Sequence, residues 1–525
     1  MYSIRKQLLG AMGVVAIAAA AAGCGGGSKS SDGPLTTLSI AWADNPAPLN
    51  PAVTSQDNTG SIISNIFDRL VWLTPESEVT PWLASSWEVS ADRKTYTFTL
   101  RNDVTFHDGT KFNAAAVVKN IEYITAPETK STLAVQQLGT CKKASAVSEF
   151  VVQIACDKPF APLLTDLSSP YLGIQSPKAI EEHGAKMSSE MVGTGPYRLE
   201  SFTPSESVVL KSNTDYKWAP KAAGFGDTRP TTIEFKIAPN PQARVAALQS
   251  GQSQIVQKVP GAIYKSQQGK YQALAKGATG MGHFASINTS KFPTDDQAVR
   301  QAILYMVDRK AVMDLAESGA FPASNTVLQP GTFGYDKSLE SLYPHDPAKG
   351  AELLQGAGWT RNGKFWEKNG KRLSLSIGAF SDVPQYVSVS EAIQAQLQDN
   401  GIEANIELQG RAAYLESGDK GKNNITPSSF VSLDPVILNQ WFVTGAFFNW
   451  SKVSDKQLDA LLDEAASTSD LERRKSLYVD AQKRILELGL LLPERPEQDL
   501  ILMDKSIKGV IMSGGGFLHF AGVHR

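Results

Sequence analysis

From Thr95 to Leu100 the chain reads Thr-Tyr-Thr-Phe-Thr-Leu, apolar at every second residue. Successive side chains of a strand point to opposite faces, so Tyr96, Phe98 and Leu100 predict a buried face and the threonines a wet one. Thr37–Trp42 predicts an earlier strand, and the prolines of 45–51 keep the next stretch irregular. Elsewhere the period lengthens to that of helices. An amphipathic helix is expected around Ile62 to Leu70. Asn113 is placed as the N-cap of another, whose Val117, Ile121 and Ile124 fall on one stripe. Asp295 and Asp296 stand where a helix N-terminus favours negative charge. Val299, Ile303, Met306 and Val307 form the stripe that follows, and Gly319 is placed to end the helical region. Leu458 to Leu488 carries one long helical pattern. Strands and helices mix throughout without internal repeat, so the class is mixed α and β.

The N-terminus follows a different pattern. Arg5 and Lys6 precede an uncharged apolar run, Leu8 to Ala22, that ends in Ala21-Ala22-Gly23-Cys24. That run is shorter than the ~20 residues a spanning helix needs. A positive start, a short apolar core and small residues before a cut make a secretory signal over residues 1–23. The Gly-Cys ending resembles the lipobox of bacterial lipoproteins, in which the cysteine is acylated and becomes the new N-terminus. Ala21 departs from it, standing where leucine is usual, and an ordinary signal cleaved nearby is the other reading. Residues 24–34 are rich in Gly and Ser, a flexible tether suited to holding a body off a membrane. Cys24 is therefore the expected lipid attachment, and the body an extracytoplasmic one tied to the membrane.

Composition narrows the class. The chain has 51 basic and 53 acidic residues, a balance that gives no nucleic-acid footprint and no polybasic membrane patch. About 490 residues follow the tether, too many for one core, so two or three lobes are expected. With Cys24 given to lipid, Cys141 and Cys156 remain as a pair in an oxidising compartment. Phe150–Ile154 reads as a strand and Ser148-Glu149 as a turn, so a hairpin would bring the two cysteines together. Closing such a loop contributes about 3 kcal/mol in the chain-entropy model. Two cysteines so spaced, with no histidine between them, do not make a zinc site.

Four groups of segments, in order, resemble the family 5 extracellular solute-binding proteins of ABC importers, which include di- and oligopeptide and nickel binders. The first runs from Pro81-Trp82-Leu83-Ala84-Ser85-Ser86-Trp87-Glu88 through Tyr96–Arg101 to Val104-Thr105-Phe106-His107-Asp108-Gly109-Thr110-Lys111-Phe112-Asn113-Ala114. The second is Val192-Gly193-Thr194-Gly195-Pro196-Tyr197. The third joins Val299-Arg300-Gln301-Ala302, Val307-Asp308-Arg309, Tyr343–Pro347 and Leu353–Trp359. The fourth is Leu458–Ala465 with Arg473 and Arg474. The resemblance implies a two-lobed periplasmic-binding-protein-like fold that closes about a hinge. The outer lobe would comprise residues 35–75, 190–285 and 490–525; an inserted domain 76–189; and the opposing lobe 286–489. It also implies a monomer that hands a small-molecule or peptide ligand to ABC permease and ATPase subunits. Gly193 and Gly195 would lie near a return point where permissive backbone is useful.

The motifs themselves supply no catalyst. His107 and Asp108 are adjacent, so their side chains diverge, and Asp108-Gly109 reads as a turn. Gly193-Thr194-Gly195-Pro196 is no phosphate loop, because Pro196 lacks an N–H and no Gly-Lys-Ser/Thr follows. The histidines at 107, 183, 283, 345, 519 and 524 show no i, i+4 ligand spacing. No Gly-x-Ser-x-Gly or His-Glu-x-x-His occurs. An enzyme is not expected, nor a cofactor or a metal site. Ligand contacts would come from cleft-facing segments. Peptide binders of the family that hold a free α-amino group resemble one another in an aspartate four residues before a proline. In Phe430-Val431-Ser432-Leu433-Asp434-Pro435 that place is Val431, which argues for a ligand without a free α-amine: a modified peptide, a metallophore complex or an opine-like solute. Asp434 has two readings, ligand contact or local turn. Trp441, Phe442, Phe447, Phe448 and Trp450 are either pocket lining or core. Trp42, Arg411 and Tyr414 complete the candidate contacts, Arg411 as a grip for a carboxylate. A sensing role without transport is the alternative from another class.

Overall fold

The computed structural model describes residues 35–525 apart from 47, 185–189, 227, 382 and 469. Cys24, the signal segment and the tether lie outside the described residues. The chain starts with β1 (Thr37–Trp42) and α1 (Asp57–Ile63). A first excursion carries β2 (Ala84–Val89), β3 (Thr95–Leu100), α2 (Ala114–Thr125), β4 (Lys143–Ser148) and β5 (Val151–Ala155). The chain returns through β6 (Tyr197–Thr203), β7 (Ser207–Ser212), β8 (Thr232–Ile237), β9 (Ile255–Val256) and β10 (Gln272–Gly277). A second excursion opens with β11 (Gly280–Ile287), α3 (Gln297–Met306), β12 (Ser374–Phe380), α4 (Pro384–Asp399) and β13 (Glu403–Gln409). It continues through α5 (Arg411–Lys420), β14 (Ile425–Val431), α6 (Ile437–Phe442), α7 (Lys456–Ser467), α8 (Leu471–Glu487) and β15 (Leu491–Arg495), and β16 (Gln498–Met503) brings the chain back.

Three sheets organise these strands. A seven-stranded sheet has the order β10-β16-β9-β1-β8-β7-β6, a five-stranded one β13-β12-β14-β11-β15, and a four-stranded one β2-β3-β5-β4. Burial follows the same division. One core joins the seven- and four-stranded sheets through Leu38, Ile40, Phe98, Ile154 and Phe235, and the other gathers Phe284, Ile303, Ile377, Leu458 and Ile485 around the five-stranded sheet. The result is the two-lobed mixed α/β fold, with the four-stranded sheet packed on the first lobe.

Most of the periodic segments form as expected. Tyr96, Phe98 and Leu100 are buried along β3. Asn113 caps α2 by accepting from Ala116 N, and Val117, Ile121 and Ile124 face the core. Asp296 caps α3 in the same way through Ala298 N. β4 and β5 pair as a hairpin, and Cys141 is bonded to Cys156 at its base. Two helices differ. The pattern around Ile62 to Leu70 is a helix only to Ile63, because the carbonyls of Asn65 and Ile66 accept from Tyr197 N and Gly195 N instead of continuing the helix. The pattern from Leu458 to Leu488 is two helices, broken where Thr468 turns extended and Asp470 caps α8 through Arg473 N.

Candidate functional site

Strand register places the passages between lobes at one edge of each sheet. β1 runs parallel to β8 and β9, and Val256 of β9 pairs with Leu502 of antiparallel β16. Gly277, the last residue of β10, pairs with Gln498, the first of β16. The passages at 278–279 and 496–497 therefore leave the first sheet at the carboxyl ends of β1 and β9. In the second sheet Gly280 pairs with Val431, the last residue of β14, so the passages also meet that sheet at its carboxyl edge. They run side by side, Ala278 N donating to Glu497 O at 3.0 Å. In open α/β sheets ligands lie outside the carboxyl ends of strands, where successive connections leave to opposite faces. β12 is such a point. Its neighbours β13 and β14 lie on either side, and right-handed crossovers place α4 and α5 on opposite faces.

Both edges carry charge. After β1, Asp44 Oδ2 accepts from Lys258 Nζ at 2.6 Å and from Asn58 Nδ2 at 2.9 Å. Burial opposes the Lys258 charge, but Asp499, Asp44 and Asp57 outweigh it and hold the ammonium above its usual pKa. At the second passage His283 Nε2 lies 2.5 Å from Glu497 Oε2. Burial pushes the Glu497 carboxyl up, yet His283, Arg495 and Lys258 overcome this and bring it to about 2. The Arg495 guanidinium is directed to Glu317 at 3.7 Å and lies 4.2 Å over the Phe321 ring. Tyr386, near the start of α4, packs on His283 with ring centroids 5.6 Å apart and donates to Ser429 Oγ at 3.0 Å. Sequence reasoning missed all of these. The one available signal was Glu494-Arg495, a pair of charges directly after the apolar run Leu490–Pro493.

The residues anticipated from sequence separate into four places. Tyr414, Trp441 and Trp450 come together. Tyr414 stacks on Phe380 at 5.5 Å and donates to Pro427 O; Trp450 meets it edge-on at 6.0 Å and donates from Nε1 to Asp419 Oδ1 at 2.9 Å. Trp441 packs against Phe284, Phe448 and Trp450 at 5.0, 5.3 and 5.4 Å. Phe442 is buried in the same core, whereas Phe447 is 78% exposed. Arg411 is exposed as the first residue of α5. Trp42 lies on the other sheet, buried edge-on against Phe235 at 5.1 Å. Asp434 is buried against Arg474, whose Nη1 and Nη2 donate to its two oxygens at 2.9 and 2.6 Å. Burial lowers the Arg474 pKa, but Asp434 more than reverses this and raises it. A ligand ammonium at Asp434 would have to compete with that bidentate pair.

A family model for bacterial extracellular solute-binding proteins, family 5 middle, matches residues 78–445. The chain belongs to this family. The glutathione-binding protein GsiB of Escherichia coli (strain K12) is 29% identical over 492 residues, covering 91% of this chain and 92% of the relative. NikA from Brucella suis, solved with Fe(III)-EDTA, superposes with a TM-score of 0.81 at 24% identity, over 93% of this chain and 99% of that one. A dipeptide-binding protein from Pseudoalteromonas sp. SM9913, solved with Met-Leu, gives 0.71 at 21% identity over 93% and 99%. The protein is thus a solute-binding protein of the ABC-importer class rather than an enzyme, and it works outside the cytoplasm. Among the described residues no helix is long and apolar enough to cross a membrane.

In this solute-binding protein the shared motifs build scaffold. His107 Nε2 donates to Gly195 O at 3.0 Å, while its Nδ1 accepts from Gly193 N at 3.3 Å, so the ring clasps the glycine motif. Burial brings His107 down to about 4, which keeps it neutral in that role. Asp108 accepts from Ser176 Oγ and from Thr110 N and Oγ1, holding the turn. Beneath the glycines, Asp68 accepts from Trp218 Nε1 at 2.8 Å and Thr194 Oγ1 at 3.0 Å; burial raises it to about 6 despite these bonds. Arg69 lies 4.4 Å over Trp82 of the first motif. The histidine-aspartate and glycine motifs therefore lock the inserted sheet onto the first lobe.

Proposed function

We propose that this protein is a lipid-anchored receptor that takes a short or modified peptide, or a comparable amphipathic solute, between its two carboxyl edges and delivers it to an ABC permease. The observation that carries the reading is the meeting of those edges at the passages 278–279 and 496–497, with charged side chains at both. On this reading residues 35–75, 190–285 and 490–525 form the outer lobe, 76–189 the insertion and 286–489 the opposing lobe. Trp42, Arg411, Tyr414, Asp434, Trp441 and Trp450 are proposed as its ligand contacts or their immediate support. Val431 leaves the end of β14 without a charge. That fits a blocked peptide or chelate, or an ammonium bound elsewhere in the cleft.

The test is a thermal-shift series on residues 25–525 with trialanine, N-acetyltrialanine and a nickel–histidine chelate. A ligand at 100 times its dissociation constant adds about 2.7 kcal/mol of stability, so a clear rise in Tm is expected from at least one member. No rise from any of them would contradict the capture of peptide-like or chelated solutes. The anchor is tested separately: Cys24→Ala should move the protein from the membrane fraction to the soluble one, and retention on membranes would refute lipidation at that residue.

A further inference from the structure

In the seven-stranded sheet β1 runs parallel between β8 and β9, and ligands of open α/β sheets lie outside the carboxyl ends of strands so placed. A pair of opposite charges stands at that margin. Asp44 follows the end of β1 and Lys258 the end of β9, and Lys258 Nζ donates to Asp44 Oδ2 at 2.6 Å. The two side chains are 42% and 48% exposed, so a solute can reach both. Ion pairs this exposed contribute little to stability, yet the groups that carry this one are firmly held. Arg244, 3% exposed, directs its guanidinium to main-chain carbonyls on both sides of the pair. Nε donates to Gln257 O at 3.1 Å and Nη2 to Lys258 O at 2.8 Å, while Nη1 donates to Ala238 O and Pro239 O at 2.7 Å each. The arginine thereby ties the segment after β8 to the segment after β9. Lys258 itself is left-handed, φ 49°, a conformation that residues other than glycine keep only where the surroundings impose it. Asn58 Nδ2 donates to Asp44 Oδ2 at 2.9 Å and orients the carboxylate. Two opposite charges held in this way, and still open to solvent, have the preorganisation that a binding group requires.

We propose that Lys258 and Asp44 together receive an α-amino-acid head group of the solute, its carboxylate on the Lys258 ammonium and its ammonium on the Asp44 carboxylate. Four charges of alternating sign then close a square that neither a lone cation nor a lone anion can complete. The inference rests on the capture reading above and names the ligand's chemistry. It seats the amine on the first lobe, so the uncharged Val431 of the second lobe is compatible with a ligand that keeps one. The rest of the solute extends from the head group toward the opposing edge, which leaves the pair to recognise the head alone.

The experiment is isothermal titration calorimetry at pH 7. The probes are γ-glutamylalanine, Nε-acetyllysine and citrulline, each also prepared with the α-amine of its head group acetylated and with the α-carboxyl amidated. Expected is binding of at least one parent probe by the wild type, weakened at least tenfold by either block. Asp44→Asn should weaken the parent probe at least tenfold and leave it indifferent to acetylation. Lys258→Met should weaken it to a similar extent and leave it indifferent to amidation, whereas Lys258→Arg, which keeps the charge, should retain the sensitivity to amidation. A merely structural role would lower affinity for parent and blocked probes alike. Wild-type affinity in both Asp44→Asn and Lys258→Met overturns the assignment, as does weakened binding that keeps its full sensitivity to the matching block. Silence from all three parent probes overturns it as well. In that case trialanine, N-acetyltrialanine and the nickel–histidine chelate of the thermal-shift series decide separately whether solute capture stands.

Discussion

Asp434 and Val431 lie three residues apart at the end of β14, and their surroundings assign them different work. Val431 closes the strand opposite Gly280. Asp434 turns inward to Arg474, with side chains 1% and 4% exposed. Removing one partner of such a pair leaves an uncompensated buried charge, and the cost is about 3–5 kcal/mol. Asp434→Asn should therefore lower unfolding stability in urea by that order, and a loss below 1 kcal/mol would show that Arg474 finds another partner. Both residues were visible in the sequence, but nothing local linked them, because Arg474 arrives from α8 forty residues on. The glycines show the same limit. Gly193 and Gly195 stood out, though as permissive backbone. Here a Cβ would come within 2.2 and 2.6 Å of Ile66 O, so close approach is what excludes a side chain. Glu494 carried its own signal, a charge at the end of an apolar run, yet only the fold shows that its Oε1 is buried without a donor.

Elements were legible where one periodic pattern ran between clear stops. β3 follows its two-residue alternation, and α2 runs from the Asn113 cap with the stripe Val117, Ile121 and Ile124. The β4–β5 hairpin and its disulfide were readable because both depend on residues close in sequence. Patterns failed where tertiary partners took backbone groups from a helix. Ile62 to Leu70 keeps an apolar spacing, but Asn65 and Ile66 give their carbonyls to the segment around Gly195. Between α7 and α8 apolar positions recur on both sides of the break, and the local signal for it was the polar cap Asp470. The cleft edge was not legible from any element alone. It exists because β12 has parallel neighbours on both sides and because β11 and β15 are antiparallel strands that begin and end at the same margin.

At the scale of the molecule, two cores joined by two short adjacent passages describe a hinge. Other contacts span the lobes: Ala161 N donates to Ala466 O at 3.3 Å, Arg93 Nη1 to Thr468 Oγ1 at 3.4 Å, and Ser77 Oγ to Gly331 O. Each is a single hydrogen bond to an exposed or half-buried group, worth about 0.5–1.5 kcal/mol net. Opening must break these, whereas the strand passages can remain intact. A ligand that binds both edges at once would favour the closed arrangement. Family membership points to such a motion, and the two-core division supplies the rigid bodies for it. Small-angle X-ray scattering of residues 25–525, with and without a saturating amount of the solute giving the largest thermal shift, tests this most directly. Ligand-dependent closure predicts a smaller radius of gyration and a shorter maximum dimension with solute bound. Identical scattering curves, under conditions where the same solute raises Tm, would contradict it.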